Sequence, residues 1–310
     1  MLDSLQQIFL SLIPVSFVIF LGWLAGRKKI IDNAHSHSMA TYVMNFSFPC
    51  GLFMLTANSK PKDLFNGSFV IAFWLGLMGM FLISFLIYKF VLRRANHESA
   101  QGAFVCAFPD MAFMGIPIFT ALLGKASVLS VAIGNICTSL IMIPIVTALL
   151  SANQAQKDSI GQLLWKVITK PLVFAPVIGV ICSLIGFHTP ELLGRSLTLI
   201  AGTTSGVSLF TLGLIMSSFA IKFSRLVAVN IALKNILHPA LMMGLILLFG
   251  LKGIFAKEAF LLCAMPTATM TTMFALKYDT QVSESTSSAI LGTIISFLTL
   301  TVCMVTVGIN

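Results

Sequence analysis

The chain has 310 residues, of which 57% are hydrophobic and only 9% charged. A soluble chain of that length needs far more polar surface to cover its core, so a soluble globular protein is excluded. The formal charge of +9 is read here as a membrane-orientation signal rather than as a nucleic-acid footprint, because basic residues accumulate in cytoplasmic loops.

In chain order, apolar runs between polar breaks predict ten spans at about 6–26, 37–57, 68–92, 99–123, 126–150, 163–187, 196–220, 226–250, 256–279 and 284–308. Each is long enough, at about 1.5 Å per residue, to cross a hydrocarbon core of about 30 Å. The opening residues lack the basic stretch of a cleaved signal peptide, so the first span is expected to stay. The one long polar interruption, 151–162, is the expected linker between a first five-helix half, 1–150, and a second, 163–310. An odd number of spans per half makes the second half enter the membrane the other way up, so the fold class expected is an all-α polytopic membrane protein built as two inverted five-helix repeats. Pro14-Val15 with Val18-Ile19 in the first span matches Pro176-Val177 with Val180-Ile181 in the sixth, and Cys106-Ala107-Phe108-Pro109 in the fourth matches Cys263-Ala264-Met265-Pro266 in the ninth. Their order within the halves argues for a duplication.

Lys and Arg distribute as twelve (Arg27, Lys28, Lys29, Lys89, Arg93, Arg94, Lys157, Lys166, Lys170, Lys222, Arg225, Lys277) against six (Lys60, Lys62, Lys125, Arg195, Lys252, Lys257), with Lys234 inside a span. The richer set is expected to face the cytoplasm of a bacterial inner membrane, with both termini outside. The six cysteines lie in apolar runs without CxxC spacing, which points to packing rather than to a disulfide framework or a metal site. No cofactor is expected.

The matched phrases carry the chemistry. A proline inside a helix removes a hydrogen bond and crowds the carbonyl four residues back. In hydrocarbon the freed backbone groups survive only where they are buried in protein or line a cavity. Pro109 and Pro117 flank Asp110, Met111 and Gly115, and should open about one turn of the fourth span near mid-membrane. A packing kink accounts for one such break; two at matching places point to a transporter's binding site. Asp110, a carboxylate at that depth, needs a partner or a function. It is read either as an ion-coupling group or as a cap for the N–H groups exposed after Pro109. In the ninth span Pro266, Thr267 and Thr269 put hydroxyls where the fourth has a carboxylate; Thr271 and Thr272 read as helix packing. Lys234 lies about 12 Å into the eighth span, either snorkelling outwards or balancing Asp110 or the carboxyl ends of the broken helices. His238 reads as a buried histidine bonded to backbone. Asn135 and Ser47 are further candidates at depth, whereas the small residues of 202–208 read as close helix packing. His35 and His37, beside Arg27–Lys29, read as a solvated loop, too few ligands for a metal.

Phe108 through Pro117, Ala264 through Thr269 and the run from Pro14 to Gly26 resemble the auxin efflux carrier family, which includes bacterial malonate and malate carriers. The resemblance spans essentially the whole chain. It implies broken helices four and nine that cross, a transport domain of helices 3–5 and 8–10 sliding in an elevator movement against a scaffold of helices 1, 2, 6 and 7, and a homodimer formed through that scaffold. It further implies an organic anion bound near Pro109, Asp110, Pro266 and Thr267, with Asn135 and Lys234 where related folds place coupling groups. Many members carry Asn where this chain has Asp110, and a fixed carboxylate there repels an anion unless protonated or paired.

The function expected is therefore secondary active transport of a small carboxylate across the bilayer, coupled to H⁺ or Na⁺. The alternative is a cation/proton antiporter that uses Asp110 and Lys234 without an organic substrate. No nucleotide-binding motif is present. An intramembrane hydrolase would need paired aspartates or a nucleophile with its base, and Glu258, Asp279 and Glu284 fall at expected helix ends.

Overall fold

The computed structural model describes residues 2–32, 35–59, 67–124, 127–151, 161–162, 165, 169–187 and 189–308. Most of the expected linker, 151–162, falls outside these residues, as do Lys60, Lys62, Lys125, Lys157 and Lys166. The described residues are helical, without a strand. In order they form α1 (Leu2–Arg27), α2 (35–57), α3 (Gly67–Val91), α4 (Asn96–Ala107), α5 (111–123), α6 (128–150), α7 (Pro171–Leu184), α8 (Glu191–Ser217), α9 (Arg225–Phe249), α10 (Gly253–Ala264), α11 (Met270–Lys277) and α12 (Val282–Thr306). Of these, α3, α8, α9 and α12 are long and apolar enough to cross a bilayer.

Proline shapes several of these helices in one repeated way. Besides Ile87–Val91 at the end of α3, which no proline follows, wide, π-helical turns occupy Val43–Ser47, Met111–Gly115, Thr138–Met142 and Leu233–Leu237, and these four share a pattern. Each of the four ends two residues before a proline: Pro49, Pro117, Pro144 and Pro239. A proline ring has no N–H to donate and presses on the carbonyl four residues back. Loosening the preceding turn to an i→i−5 pattern relieves that pressure without ending the helix.

Helix α1 packs along the second part of α8, and α7 packs along the second part of α2, which also meets the first part of α8. The other helices contact one another: α3 lies on α4, α9 on α3 and α12, and α11 on α12. The α1–α8 contact is backbone to backbone. A Cβ on Gly213 would run into the carbonyl of Ile19, and one on Gly22 into that of Phe210. Small residues allow this approach where lipid supplies no hydrophobic drive between helices. Gly213→Ala is therefore expected to cost about 1–3 kcal/mol and to lower the midpoint of thermal unfolding in detergent. Gly244→Ala, facing open space in α9, should leave the midpoint unchanged or raise it.

A crossover built from two broken helices

Helix α4 stops at Ala107 and α10 at Ala264, and the extended residues that follow meet each other. Pro109 and Thr267 form an antiparallel bridge. The Asp110 N–H donates to the Pro266 carbonyl at 2.8 Å, and the Ala268 N–H donates to the Phe108 carbonyl at 3.0 Å. Groups released by one break are thus satisfied by the other, which is what a water-free interior requires.

The remaining freed groups have identifiable partners. The Val105 carbonyl is the one that a residue other than Pro109 would have bonded; it accepts from Thr267 Oγ1 at 2.8 Å. Four residues before Thr267, the Cys263 carbonyl accepts from Lys234 Nζ at 2.9 Å. At the start of α5 the Asp110 carboxylate takes the Phe113 N–H on Oδ1 at 3.1 Å, the geometry of an N-cap. Its other oxygen, Oδ2, is buried without a hydrogen-bond partner. The start of α11 differs: Thr269 is its N-cap residue and makes no side-chain cap.

Lys234 is fully buried rather than snorkelling, and its Nζ also lies 2.9 Å from His238 Nδ1. His238 is held through that lysine and not through backbone, and its Nε2 is without a partner. With an ammonium donating to Nδ1, the ring proton sits on Nε2. Asp110 and Lys234 do not form an ion pair: each is tied to a different broken helix.

A small cavity of about 30 Å³ lies at the crossover, lined among others by Asp110, Met111, Phe113, Asn135 and Thr269. That volume admits a water or two, not a dicarboxylate. Asn135 donates Nδ2 to the Val131 carbonyl within its own helix, at 3.1 Å. Gly115 belongs to the wide turn after Asp110 and donates its N–H to the Asp110 carbonyl at 2.9 Å. The crossover cavity thus gathers Pro109, Asp110, Met111, Asn135 and Thr269. Thr267 is present in the bridge with its hydroxyl committed, while Lys234 lies on the carboxyl end of α10.

Ser47 stands elsewhere. Its hydroxyl meets Thr204 Oγ1 at 2.5 Å and Thr203 Oγ1 at 3.1 Å, where α8 is interrupted between its helical parts Glu191–Ala201 and Thr204–Ser217. Beside it, a cavity of about 460 Å³ is lined by residues of α2, α5, α6 and α8, among them Leu52, Asn58, Ile116, Val128, Thr198 and Thr204. Ser208, one turn beyond Thr204, donates to the Phe113 carbonyl at 3.2 Å and so joins α8 to the crossover.

Sequence reasoning missed several buried polar groups. Tyr88 donates to Asn230 Oδ1 at 2.5 Å, and Asn230 donates to Ser288 at 3.0 Å. Glu258, expected at a helix end, is only 4% exposed and accepts from Ser130. The signal was available: the alignment of Cys106 with Cys263 puts Glu258 opposite Gln101, well inside a half-helix. Asp110 is thus a cap, and Asp110→Ala should destabilise the fold by about 1 kcal/mol. Asp110→Asn keeps the acceptor and should leave thermal stability in detergent nearly unchanged; an equal loss in both variants would contradict the cap.

Comparison with known proteins identifies the family. A family model described as membrane transport protein matches residues 7–304. The chain is 27% identical to "Uncharacterized transporter YfdV" of Escherichia coli over 285 residues, 90% of each chain. It is 22% identical over 296 residues to a Rhizobium meliloti protein named "Putative malonate transporter", covering 93% of this chain and 92% of that one. To "Auxin efflux carrier component 8" of Arabidopsis thaliana it is 29% identical over 133 residues, 41% of this chain and 36% of the relative. The chain belongs to the membrane transport protein family, the family of the auxin efflux carriers that its two crossover motifs resemble.

Proposed function

We propose that this membrane transporter is a secondary carrier of a small organic anion of the malonate or malate class, driven by H⁺ or Na⁺. The observation that carries the reading is the crossover itself, where two broken helices meet beside a buried carboxylate with one free oxygen. The start of α11, with Thr269 beside it, has no side-chain cap and presents the positive end of a helix to a carboxylate, while its Thr271 and Thr272 N–H groups donate to the Ala268 and Thr269 carbonyls. Asp110 opposes an anion at the same place, so a proton or cation on Asp110 would travel with the substrate. This links binding of the two and accounts for coupling. The full-length likeness to a protein named for malonate supports the substrate class.

In this reading the chain is two inverted five-helix repeats. The contacts of α1, α2, α7 and α8 with one another support a scaffold, and those of α3–α6 and α9–α12 a transport domain that slides against it. The crossover cavity is too small here for the substrate, and the larger space between α2, α5, α6 and α8 would serve as the approach to it. A homodimer through the scaffold, a bacterial inner membrane and both termini outside complete the proposal. A cation/proton antiporter that pairs Asp110 with Lys234 is less well supported, because the two side chains serve different helix ends.

Uptake of labelled malonate into proteoliposomes, with pH and sodium gradients imposed separately, tests this directly. Gradient-driven uptake is expected in the wild type. Asp110→Asn should abolish the response to the driving gradient while malonate exchange continues. Absence of malonate flux, with cation flux that depends on Asp110, would overturn the carrier in favour of the antiporter.

A further inference from the structure

The first halves of the two broken spans, α4 (Asn96–Ala107) and α10 (Gly253–Ala264), are each 12 residues long. Aligned on Cys106 and Cys263, Gln101 occupies in α4 the position that Glu258 occupies in α10. Gln101 is 0% exposed and Glu258 4%. Gln101 Nε2 donates to Ser285 Oγ, near the start of α12, at 3.0 Å. Glu258 Oε2 accepts from Ser130 Oγ, near the start of α6. Each half-helix therefore reaches a serine at the start of the helix that follows the other half's crossover. The two slots correspond in position, one around a neutral amide and one around an acid, though Gln101 Nε2 also donates to the Thr271 carbonyl at 2.9 Å.

The difference has a physical consequence. An ionised carboxylate taken out of water is costly unless a cation or several donors compensate it. Glu258 has the one serine, and among the described residues no cationic group lies within 4.0 Å of its carboxyl. The titratable groups on the helices packed against α10 are Arg225, Lys234 and His238 of α9, with Arg225 on the part of α9 before the stretch that meets α10, Glu284 and Cys303 of α12, and Cys137 of α6; α3 brings none from its stretch Gly67–Leu86. On α10 itself Lys257 donates to the Gly308 carbonyl, and Lys234 is engaged by Cys263 and His238. A neutral carboxylic acid fits the slot as the amide of Gln101 fits its own. The position also lies close to the exposed end of its helix: Gly253 and Ile254 are exposed, Phe255 to Lys257 half-buried, and Glu258 is the first buried residue of α10.

We propose that Glu258 is a proton-binding site of the crossover unit, neutral while packed against Ser130 and able to exchange its proton at the open end of α10. It is separate from Asp110, which caps α5 on the other chain half. Its use in transport rests on the carrier reading above, through which proton uptake at Glu258 gives transport a dependence on pH; its protonation does not rest on that reading.

Infrared difference spectra of the purified protein in lipid nanodiscs, recorded through a pH titration, test the site without any substrate. The wild type is expected to show a carboxylic-acid C=O band that Glu258→Gln removes and Asp110→Asn retains. Ser130→Ala, which keeps the acid and deletes its hydrogen-bond partner, should shift the band without abolishing it. In proteoliposomes, Glu258→Gln should still exchange malonate, with the acceleration by an inward proton gradient reduced at least severalfold. A band that is the same in wild type and Glu258→Gln would overturn the proposal, whatever the malonate result. If neither protein moves malonate while the band behaves as expected, the proton site stands and the substrate assignment fails.

Discussion

A backbone N–H or carbonyl in the interior of a membrane protein has no water to fall back on, and everything at the centre of this molecule follows from that. Pro109 and Pro266 each break a helix where the loss cannot be repaired by solvent. The repair is mutual: Asp110 N–H reaches Pro266, and Ala268 N–H reaches Phe108. Neither break could persist alone at this depth, because each supplies the partners that the other lacks. The remaining orphans fix the identities of nearby side chains. Thr267 serves the carbonyl that Pro109 leaves open, Asp110 serves the start of α5, and Lys234 serves the end of α10.

The buried charged residues follow the same constraint. Asp110 and Lys234 invite pairing on paper, one anion and one cation in an otherwise apolar chain. Instead each answers a helix terminus of the opposite sign, the carboxylate at an amino end and the ammonium at a carboxyl end. Asp110 keeps one oxygen unpartnered beside a cavity that also meets Asn135 and Thr269. The cap and the candidate binding group are therefore the same residue: Oδ1 caps α5, and Oδ2 is without a hydrogen-bond partner.

Much of this was legible in the sequence because proline and charge are loud in hydrocarbon. The position of both breaks and the burial of Asp110 could be read from Pro109, Pro117, Pro266 and their surroundings, whereas Asn135 was tied to the first break only by the family resemblance. What could not be read was which partner each polar group finds. His238 was expected on backbone and lies on Lys234, since a contact one turn away depends on the wide turn that Pro239 imposes. Glu258 was assigned to a helix end because the apolar run of the ninth span was read as starting at about 256. Its burial is set by packing against α6, which no local pattern records. Ser47 was expected at depth, and its partners Thr203 and Thr204 come from a break in α8 that small residues permit but do not announce.

The central claim is that the paired breaks form the point at which substrate changes sides. Its most direct measurement is the accessibility of Thr269→Cys, in a variant whose six native cysteines are replaced, to a membrane-impermeant thiol reagent applied to each face of sealed vesicles. The account predicts labelling from either side, with the favoured side switching when malonate or the driving gradient is imposed. Labelling confined to one side under every condition would contradict it.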